Sequence, residues 1–488
     1  MTDIPEEGNA NAKARREERR ETEKAEGVFK ASDIEPSRTP ESSDTSLNSP
    51  LRLPPFPFAP SRYSSPPHVG QYLTADLPGV GGKIRERPED FLVDEQPLYQ
   101  PAGSGEHIYM LLEKRNLTTF DLFDIVRKHF GVDRKAIGYA GLKDRIAITR
   151  QVISVHVPGK KIEDFPQLVH ERVNVLWADY HTNKLRQGHL AGNRFSIRIR
   201  GVNPLDVRTV QRVLERLEKL GVPNRFGEQR FGAACNNHLV GRALVAMDFE
   251  EATRALLGPL PGGTFNIAAR EHFAAGRLAE AMDEYPPACK AERRVLMALY
   301  RGANAATAMR QIDEPSARYM LSAFQSAVFN RVLDQRLATG TLGSLAAGDL
   351  AMKHENRAVF AVDEAVASDP TTAERLAKLE ISPSGPMWGE SMMRASGETD
   401  AVELAALAEM ELTPEQLTAF GAKFPGMIEG ARRPLRVPII DPDVEGGLDE
   451  HGPFIRVAFE LPRGAFATVV MREIMKPKVA GELVDAED

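Results

Sequence analysis

The chain has 488 residues, 42% of them hydrophobic and 27% charged, a mixture that excludes wholesale disorder, a collagen-like repeat and a membrane bundle and leaves room for several domains. Its formal net charge of -7 speaks against a nucleic-acid partner only as an average, because the distribution of charge decides such a question. Two cysteines, Cys235 and Cys289, frame no disulfide scaffold and no zinc pattern, and no apolar run reaches the roughly 18 residues of a membrane span, so a cytoplasmic protein with no metal is expected.

Residues 1–50 hold eight basic and twelve acidic side chains, and ten prolines fall before residue 71, with almost no apolar periodicity. Such a segment buries too little surface to offset its ordering entropy, so 1–70 is expected to be a disordered extension, with a transient charged helix from Ala12 to Lys24. Gly79, Gly81, Gly82 and Lys83 suggest a phosphate loop, but Leu77 stands where its first glycine belongs and Ile84 where Ser or Thr is required. Period-two alternation then predicts a strand at Ile108, Met110 and Leu112. A helix is expected to end near Phe130, and a strand to carry Ile153, Val155 and Val157.

Between those two lies Gly138 to Gln151, GYAGLKDRIAITRQ. From Arg134 to Arg150 it has five basic residues and a single carboxylate, Asp144. Neighbouring positive charge keeps such an acid ionised, which makes it a candidate nucleophile or general base. The plainer reading is that Asp144 caps a turn or pairs on the surface with Lys143 or Arg145.

From His181 to Arg200 the chain carries Lys184, Arg186, Arg194, Arg198 and Arg200 and no acid. Alternation turns Phe195, Ile197 and Ile199 to the core and leaves Arg194, Ser196, Arg198 and Arg200 on the other face, a strip suited either to phosphate or to solvent. A helix follows Asp206, expected as its N-cap, with Leu205 and Val210 as a hydrophobic staple and Gly221 and Pro223 as its stop. Gly221 to Gly232, GVPNRFGEQRFG, then states Arg-Phe-Gly twice. Phenylalanine and arginine beside glycine fit an RNA-facing loop, while an ordinary turn buries Phe226 or Phe231. From about Gly241 to Arg433 the chain is rich in Ala, Leu and Glu, with helices expected over Ser316–Leu337 and Ala401–Met410. Strand alternation returns at Ile455, Val457, Phe459 and Leu461.

AGLKDR at 140–145 with TRQ at 149–151, PNRFGEQRFG at 223–232 and LPRGAFATVVMRE at 461–473 together resemble the TruD family of tRNA pseudouridine synthases. Supporting pieces occur in family order: IRERPEDFLVDE at 84–95, EHIYMLLEKRNLTT at 106–119, KLRQGHLAGNRF at 184–195 and SAFQSAVFN at 322–330. The resemblance implies an α+β fold, with a catalytic domain built on a mixed, largely antiparallel sheet and interrupted by an insertion domain. The expected division is catalytic domain at 71–240 and 434–478, insertion at 241–433, and a C-terminal tail at 479–488. The N-terminal extension and the stretch 258–314 resemble the larger members of the family.

The implied reaction isomerises uridine to pseudouridine in RNA, by default at position 13 in the D arm of tRNA. It implies Asp144 as the catalytic aspartate and Arg85 as its basic partner, a position where some relatives carry Lys. Asn224 and Phe226 fall on motif positions at the active site, Phe466 on the aromatic that stacks on the target base, and Phe91 beside the same pocket. Lys143, Lys184, Arg186, Arg194, Arg225 and Arg230 are the expected RNA contacts. tRNA is the implied partner, with other RNAs open; no cofactor, membrane or protein partner is implied, and a monomer is expected. Two other readings are a non-catalytic RNA-binding or RNA-folding protein using the same cleft, and a small-molecule glycosidase or lyase, which the basic surroundings of Asp144 disfavour.

Overall fold

The computed structural model describes residues 71–260, 263 and 265–477. The expected tail, its charged helix at Ala12 to Lys24 and residues 479–488 lie outside these. The chain groups into two compact units, one of 234–325 with 412–429 and the other of 71–233 with 326–411 and 430–477. Among the described residues the first unit is helical throughout, from Asn237–Val245 to Pro414–Lys423, in keeping with its Ala, Leu and Glu content. Its Gly241 is obligatory, since a Cβ there would lie 2.1 Å from the carbonyl oxygen of Met320. The long helix Glu314–Ala338 gives its first half to this unit and its second half to the other.

The second unit is organised by a mixed sheet. Its strands are β1 (Phe91–Pro97), β2 (His107–Arg115), β3 (Ile137–Tyr139), β4 (Ile148–His156), β5 (Val173–His181), β6 (Leu190–Arg200), β7 (Ile440–Asp449) and β8 (Gly452–Pro462). They are ordered β7-β8-β6-β1-β4-β2-β5 with β3 paired to β4. Only β1 and β4 run parallel; every other pairing is antiparallel. Two segments far apart in sequence are thus neighbours, because β8 pairs with β6 along its length, Phe459 opposite Phe195 and Val457 opposite Ile197.

One face of this sheet carries two apolar cores. Phe91 and Val93 of β1, Phe195 and Ile197 of β6 and Val457 and Phe459 of β8 meet Val210, Val213, Leu214 and Leu217 of α2 (Val207–Leu220) and Val470, Met471 and Ile474 of α3 (Ala467–Met475). Ile108, Met110, Leu112, Ile153 and Val155 meet Leu122, Phe123 and Val126 of α1 (Thr119–Phe130). Each such fully buried side chain stabilises by about 1.5–3 kcal/mol. Between the cores, register places Lys114 opposite Thr149, Thr149 beside Val93, and Glu95 opposite Asn193. Partnered residues share a face, so a polar seam separates the two cores, with Glu95, Lys114, Thr149 and Gln151 all buried.

The helix ends show what fixes the local structure. α1 starts with a reciprocal Thr118–Asp121 capping box and stops at Gly131, whose φ of 63° is left-handed. α2 starts after Asp206 as expected, but Asp206 makes no side-chain cap, because a 3₁₀ turn at Pro204–Asp206 precedes the helix and is capped by Asn203 onto the Leu205 amide. That turn leaves Leu205 80% exposed, so no hydrophobic staple forms.

Candidate active site

The loop between β3 and β4 lies over the polar seam and is tied down on both sides of Asp144. The Gly188 amide donates to the Ala140 carbonyl at 2.8 Å, and the Asn116 amide to the Ala147 carbonyl at 3.1 Å. Lys114, wholly buried, donates from Nζ to the Asp144 and Leu117 carbonyls, each at 2.7 Å. The Lys143 amide donates to Oγ1 of Thr119 at 2.9 Å, while its Nζ enters the seam between Glu95 at 2.6 Å and Oδ1 of Asn193 at 2.8 Å. With side chains 4% and 1% exposed, Lys143 and Glu95 form a buried pair whose partners each need the other.

This anchoring removes one plain reading of Asp144, a surface pair with Lys143. Lys143 is committed to Glu95, and the carboxylate of Asp144 instead accepts from Arg85 Nη2 at 2.9 Å through Oδ1, its other oxygen having no partner among the described residues. Arg85 is buried to 3% of its side chain and Asp144 keeps 28%, so the pair is held from the protein side and open on the carboxylate side. The guanidinium lies 4.5 Å from the centroid of the Phe91 ring, and Arg85 itself holds φ at 61°, left-handed backbone that a branched-at-Cβ or bulky residue adopts only under constraint. Phe91, expected beside the base pocket, is 1% exposed, packed edge-on against Phe195 and lying under Arg85. Its work is to support the arginine.

The Arg-Phe-Gly loop builds a second constellation. Asn224 donates from Nδ2 to the Pro434 carbonyl at 2.9 Å and accepts at Oδ1 from Arg433 Nη2 at 2.5 Å, so its amide is spent inside the protein. Phe226 is buried, its amide and carbonyl both bonded to the side chain of Asn330 at 3.0 Å, and its ring stands 5.6 Å from Phe329 and 6.1 Å from Phe466. Phe231 is buried too, so both phenylalanines of the repeat are core residues. Phe466, half-buried, ends the Arg463–Gly464–Ala465 turn as the N-cap residue of α3. Arg433 lies 4.2 Å above Phe226 and donates to the Gly464 carbonyl at 2.7 Å, coupling the two aromatics.

The expected RNA contacts divide. Lys143 is buried in its pair with Glu95. Arg225, its side chain 8% exposed, is bound by both oxygens of Asp334, so it braces the loop from within. The β6 strip is not the bare row of charge its composition suggests: Arg194 pairs with Glu460 at 2.8 Å, Arg198 with Asp449 at 3.6 Å, and Arg200 is buried between Asp90 and Asp449. Arg230 lies 5.3 Å from the Phe226 ring. Lys184 and Arg186 line a cavity of about 390 Å³ with Tyr99, His181, Asn183 and His189. Burial, then Arg134 and Arg186, hold the Lys184 ammonium below its usual range.

Sequence reasoning missed Lys114, Glu95, Asn330 and Arg433. Among the described residues no group of three or more His, Cys, Asp or Glu side chains is placed to hold a metal ion, and no helix is long and apolar enough to cross a membrane.

Comparison with known proteins gives one answer by three routes. The family model described as tRNA pseudouridine synthase D (TruD) matches residues 69–474. Over 408 residues the chain is 43% identical to the tRNA pseudouridine synthase D of Geotalea daltonii, covering 83% of this chain and 99% of that one. It is 36% identical to that of Thermus thermophilus, covering 87% and 96%. The crystal structure of the putative tRNA pseudouridine synthase D of Methanosarcina mazei superposes with a TM-score of 0.68 at 27% identity, covering 83% and 96%.

Proposed function

The chain belongs to the TruD family of tRNA pseudouridine synthases, and from that premise we propose that it isomerises uridine 13 in the D arm of tRNA, with Asp144 acting on the flipped-out nucleotide. As an isomerase it neither adds nor removes atoms. The bond from C1' of the ribose to N1 of uracil breaks, the base turns, C1' bonds to C5, and the proton displaced from C5 is balanced by one gained at N1. A base stacked in a helix hides that bond, so the nucleotide leaves the stack before chemistry.

The observation that carries this reading is the Arg85–Asp144 pair, 2.9 Å long, closed on the arginine side and open on the carboxylate side. A charge-assisted bond of this kind fixes the direction of the carboxylate, so little reorganisation remains when the reacting sugar arrives. The carboxylate then adds to the nucleotide or takes the C2' proton; both uses need an aimed, unprotonated oxygen. Phe466 offers a flat face that holds the uracil by stacking while leaving it free to rotate, as a set of directional hydrogen bonds would not. Asn224, Phe226 and Arg433 keep that face in place. Lys184 and Arg186, beside aromatic rings, are the side chains best placed to receive an unpaired stretch of the strand. In the same reading the helical unit of 234–325 and 412–429, most of it inside the interval expected for the insertion, governs which RNA is admitted, and the enzyme works in the cytoplasm.

The test is to incubate the protein with unmodified tRNA transcripts, without added metal or nucleotide, and to map pseudouridine along them. Conversion at uridine 13 alone is expected. Conversion at another position, or RNA binding with no product, would remove this assignment.

A further inference from the structure

We infer that Arg357 and Arg433 form a clamp for one backbone phosphate of the RNA, adjoining the nucleotide that stacks on Phe466. The inference rests on the reading above, in which Phe466 receives the base.

Most arginines of this unit that sequence singles out are neutralised by carboxylates, as Arg85, Arg194, Arg200 and Arg225 are. Around the Arg463–Gly464 turn that leads into Phe466 the pattern reverses. Arg433 is held only by neutral acceptors, the carbonyl and amide oxygens of Asn224 and the carbonyl of Gly464. Arg357 donates to the Arg463 carbonyl at 3.2 Å, and Arg463 to the Gly188 carbonyl at 2.5 Å. None of the three forms an ion pair with a carboxylate among the described residues. Burial and the like charges of Arg357 and Arg230 push Arg433 down to about 9, and burial with Arg463 lowers Arg357, the signature of cations gathered without a counter-ion.

The guanidinium ends of two of these side chains converge. A Cβ built on Gly464 would lie 3.7 Å from Nη1 of Arg433 and 3.8 Å from Nη2 of Arg357, so the two guanidinium groups border one small space above the turn. A tetrahedral anion with oxygens for both fits the chemistry, and arginine forks match phosphate geometry. Arg357 also sits where arginine is least expected. It occupies the turn of the hairpin joining Leu350–Lys353 to Val359–Ala361 with φ at 62°, left-handed backbone at which glycine is at ease. An arginine at a position that disfavours any side chain is consistent with a use for its charge.

That backbone also supplies a clean variant. Arg357→Gly deletes the guanidinium and relieves the left-handed strain, so the fold is kept and the melting temperature is equal or higher. Affinity for an unmodified tRNA transcript is measured for wild type and variant across a salt series, then repeated with transcripts carrying a neutral methylphosphonate at single linkages around the target uridine. Arg357→Gly is expected to weaken binding about tenfold and to lower the log–log salt slope by about 0.7, the value of one phosphate contact on a single strand. Its single-turnover rate at saturating enzyme stays within about twofold of wild type, the mark of lost uniform binding. One methylphosphonate weakens the wild type by a similar factor and has no further effect on the variant. An unchanged affinity and slope, or losses that multiply at every linkage, would overturn the clamp; inorganic phosphate competing as well as RNA would make it a site for free anions instead. Absence of pseudouridine from the wild type on the same transcript would count against the functional reading and not against the clamp.

Discussion

Two regions of the sheet unit treat their charges in opposite ways. In the seam beneath Asp144 two buried cations are paired with carboxylates, Lys143 with Glu95 and Arg85 with Asp144, and a third, Lys114, ties two carbonyls of the surrounding loops. At the turn before Phe466, Arg357, Arg433 and Arg463 are held only by neutral oxygens. The first arrangement is complete without a ligand and fixes the geometry of a carboxylate. The second stores positive charge that an anion from outside relieves. The difference separates cations that position from cations that bind, a distinction that counting lysines and arginines cannot make. The β6 strip proves the point, since its arginines look unanswered in sequence and are paired across the sheet.

The comparison breaks most visibly in the seam. Lys143→Met strands Glu95 as an uncompensated buried charge and is expected to lower stability by about 3–5 kcal/mol, read by denaturant unfolding. Adding Glu95→Gln to it recovers much of the loss; two independent losses that simply add would show that the pair is not the unit. Next comes Arg85→Met, which releases the Asp144 carboxylate. Turnover is expected to fall about a hundredfold, with RNA affinity nearly unchanged, because orientation and not binding is lost. Arg85→Lys, keeping the charge but not the reach, is expected to fall between, and equal activity in both variants would contradict the positioning role.

A smaller effect concerns pH. His354, in the turn that carries Arg357, bonds Oγ of Ser382 and is pushed down to about 4 by burial, then by Arg436 and Arg357. Its unfolded form takes a proton near 6.5 while the folded form does not, so the unfolded state binds more protons between about pH 4 and 6.5, and stability falls as pH drops through that window. His354→Gln is expected to flatten this part of the stability profile; an unaltered profile would mean that the imidazole charges freely in the folded state. The smallest effect is expected from Arg194→Ala. Paired with Glu460 and half exposed, Arg194 contributes about 0–1 kcal/mol, and its removal should leave the salt slope of RNA binding flat beside the change from Arg357→Gly. A larger slope change from Arg194 would invert the comparison.

Much of this was legible in the sequence, and the rest has a common physical reason for being hidden. The strands at 108–112, 195–199 and 455–461 announced themselves through alternation, which is local, while the roles proposed for Asp144, Arg85, Asn224, Phe226 and Phe466 came from the family resemblance of short motifs. The start of α2 after Asp206 was legible, but not that its first turn is prepared by a 3₁₀ turn capped by Asn203, which leaves Asp206 without a side-chain cap. Phe91 looked like a pocket residue because sequence gives its type but not the side from which Arg85 covers it. Lys114 and Arg433 stayed hidden because their partners are remote, Asp144 and Asn224 lying 30 and 209 positions away. For the same reason the charge of β6 was misjudged: Glu460 answers Arg194 from 266 positions away. Composition within a window reports charge; only the fold reports whether it is neutralised.

On the proposed function, Asp144 performs chemistry and does not hold the RNA. This is tested most directly by measuring, on one tRNA transcript, both the dissociation constant and the single-turnover rate of pseudouridine formation for wild type and Asp144→Asn. The variant is nearly isosteric and removes only the charge, so affinity is expected to stay within about twofold while the rate falls at least about a thousandfold. A variant that still forms pseudouridine within about tenfold of the wild-type rate would contradict the assignment of Asp144 as the group that acts on the nucleotide.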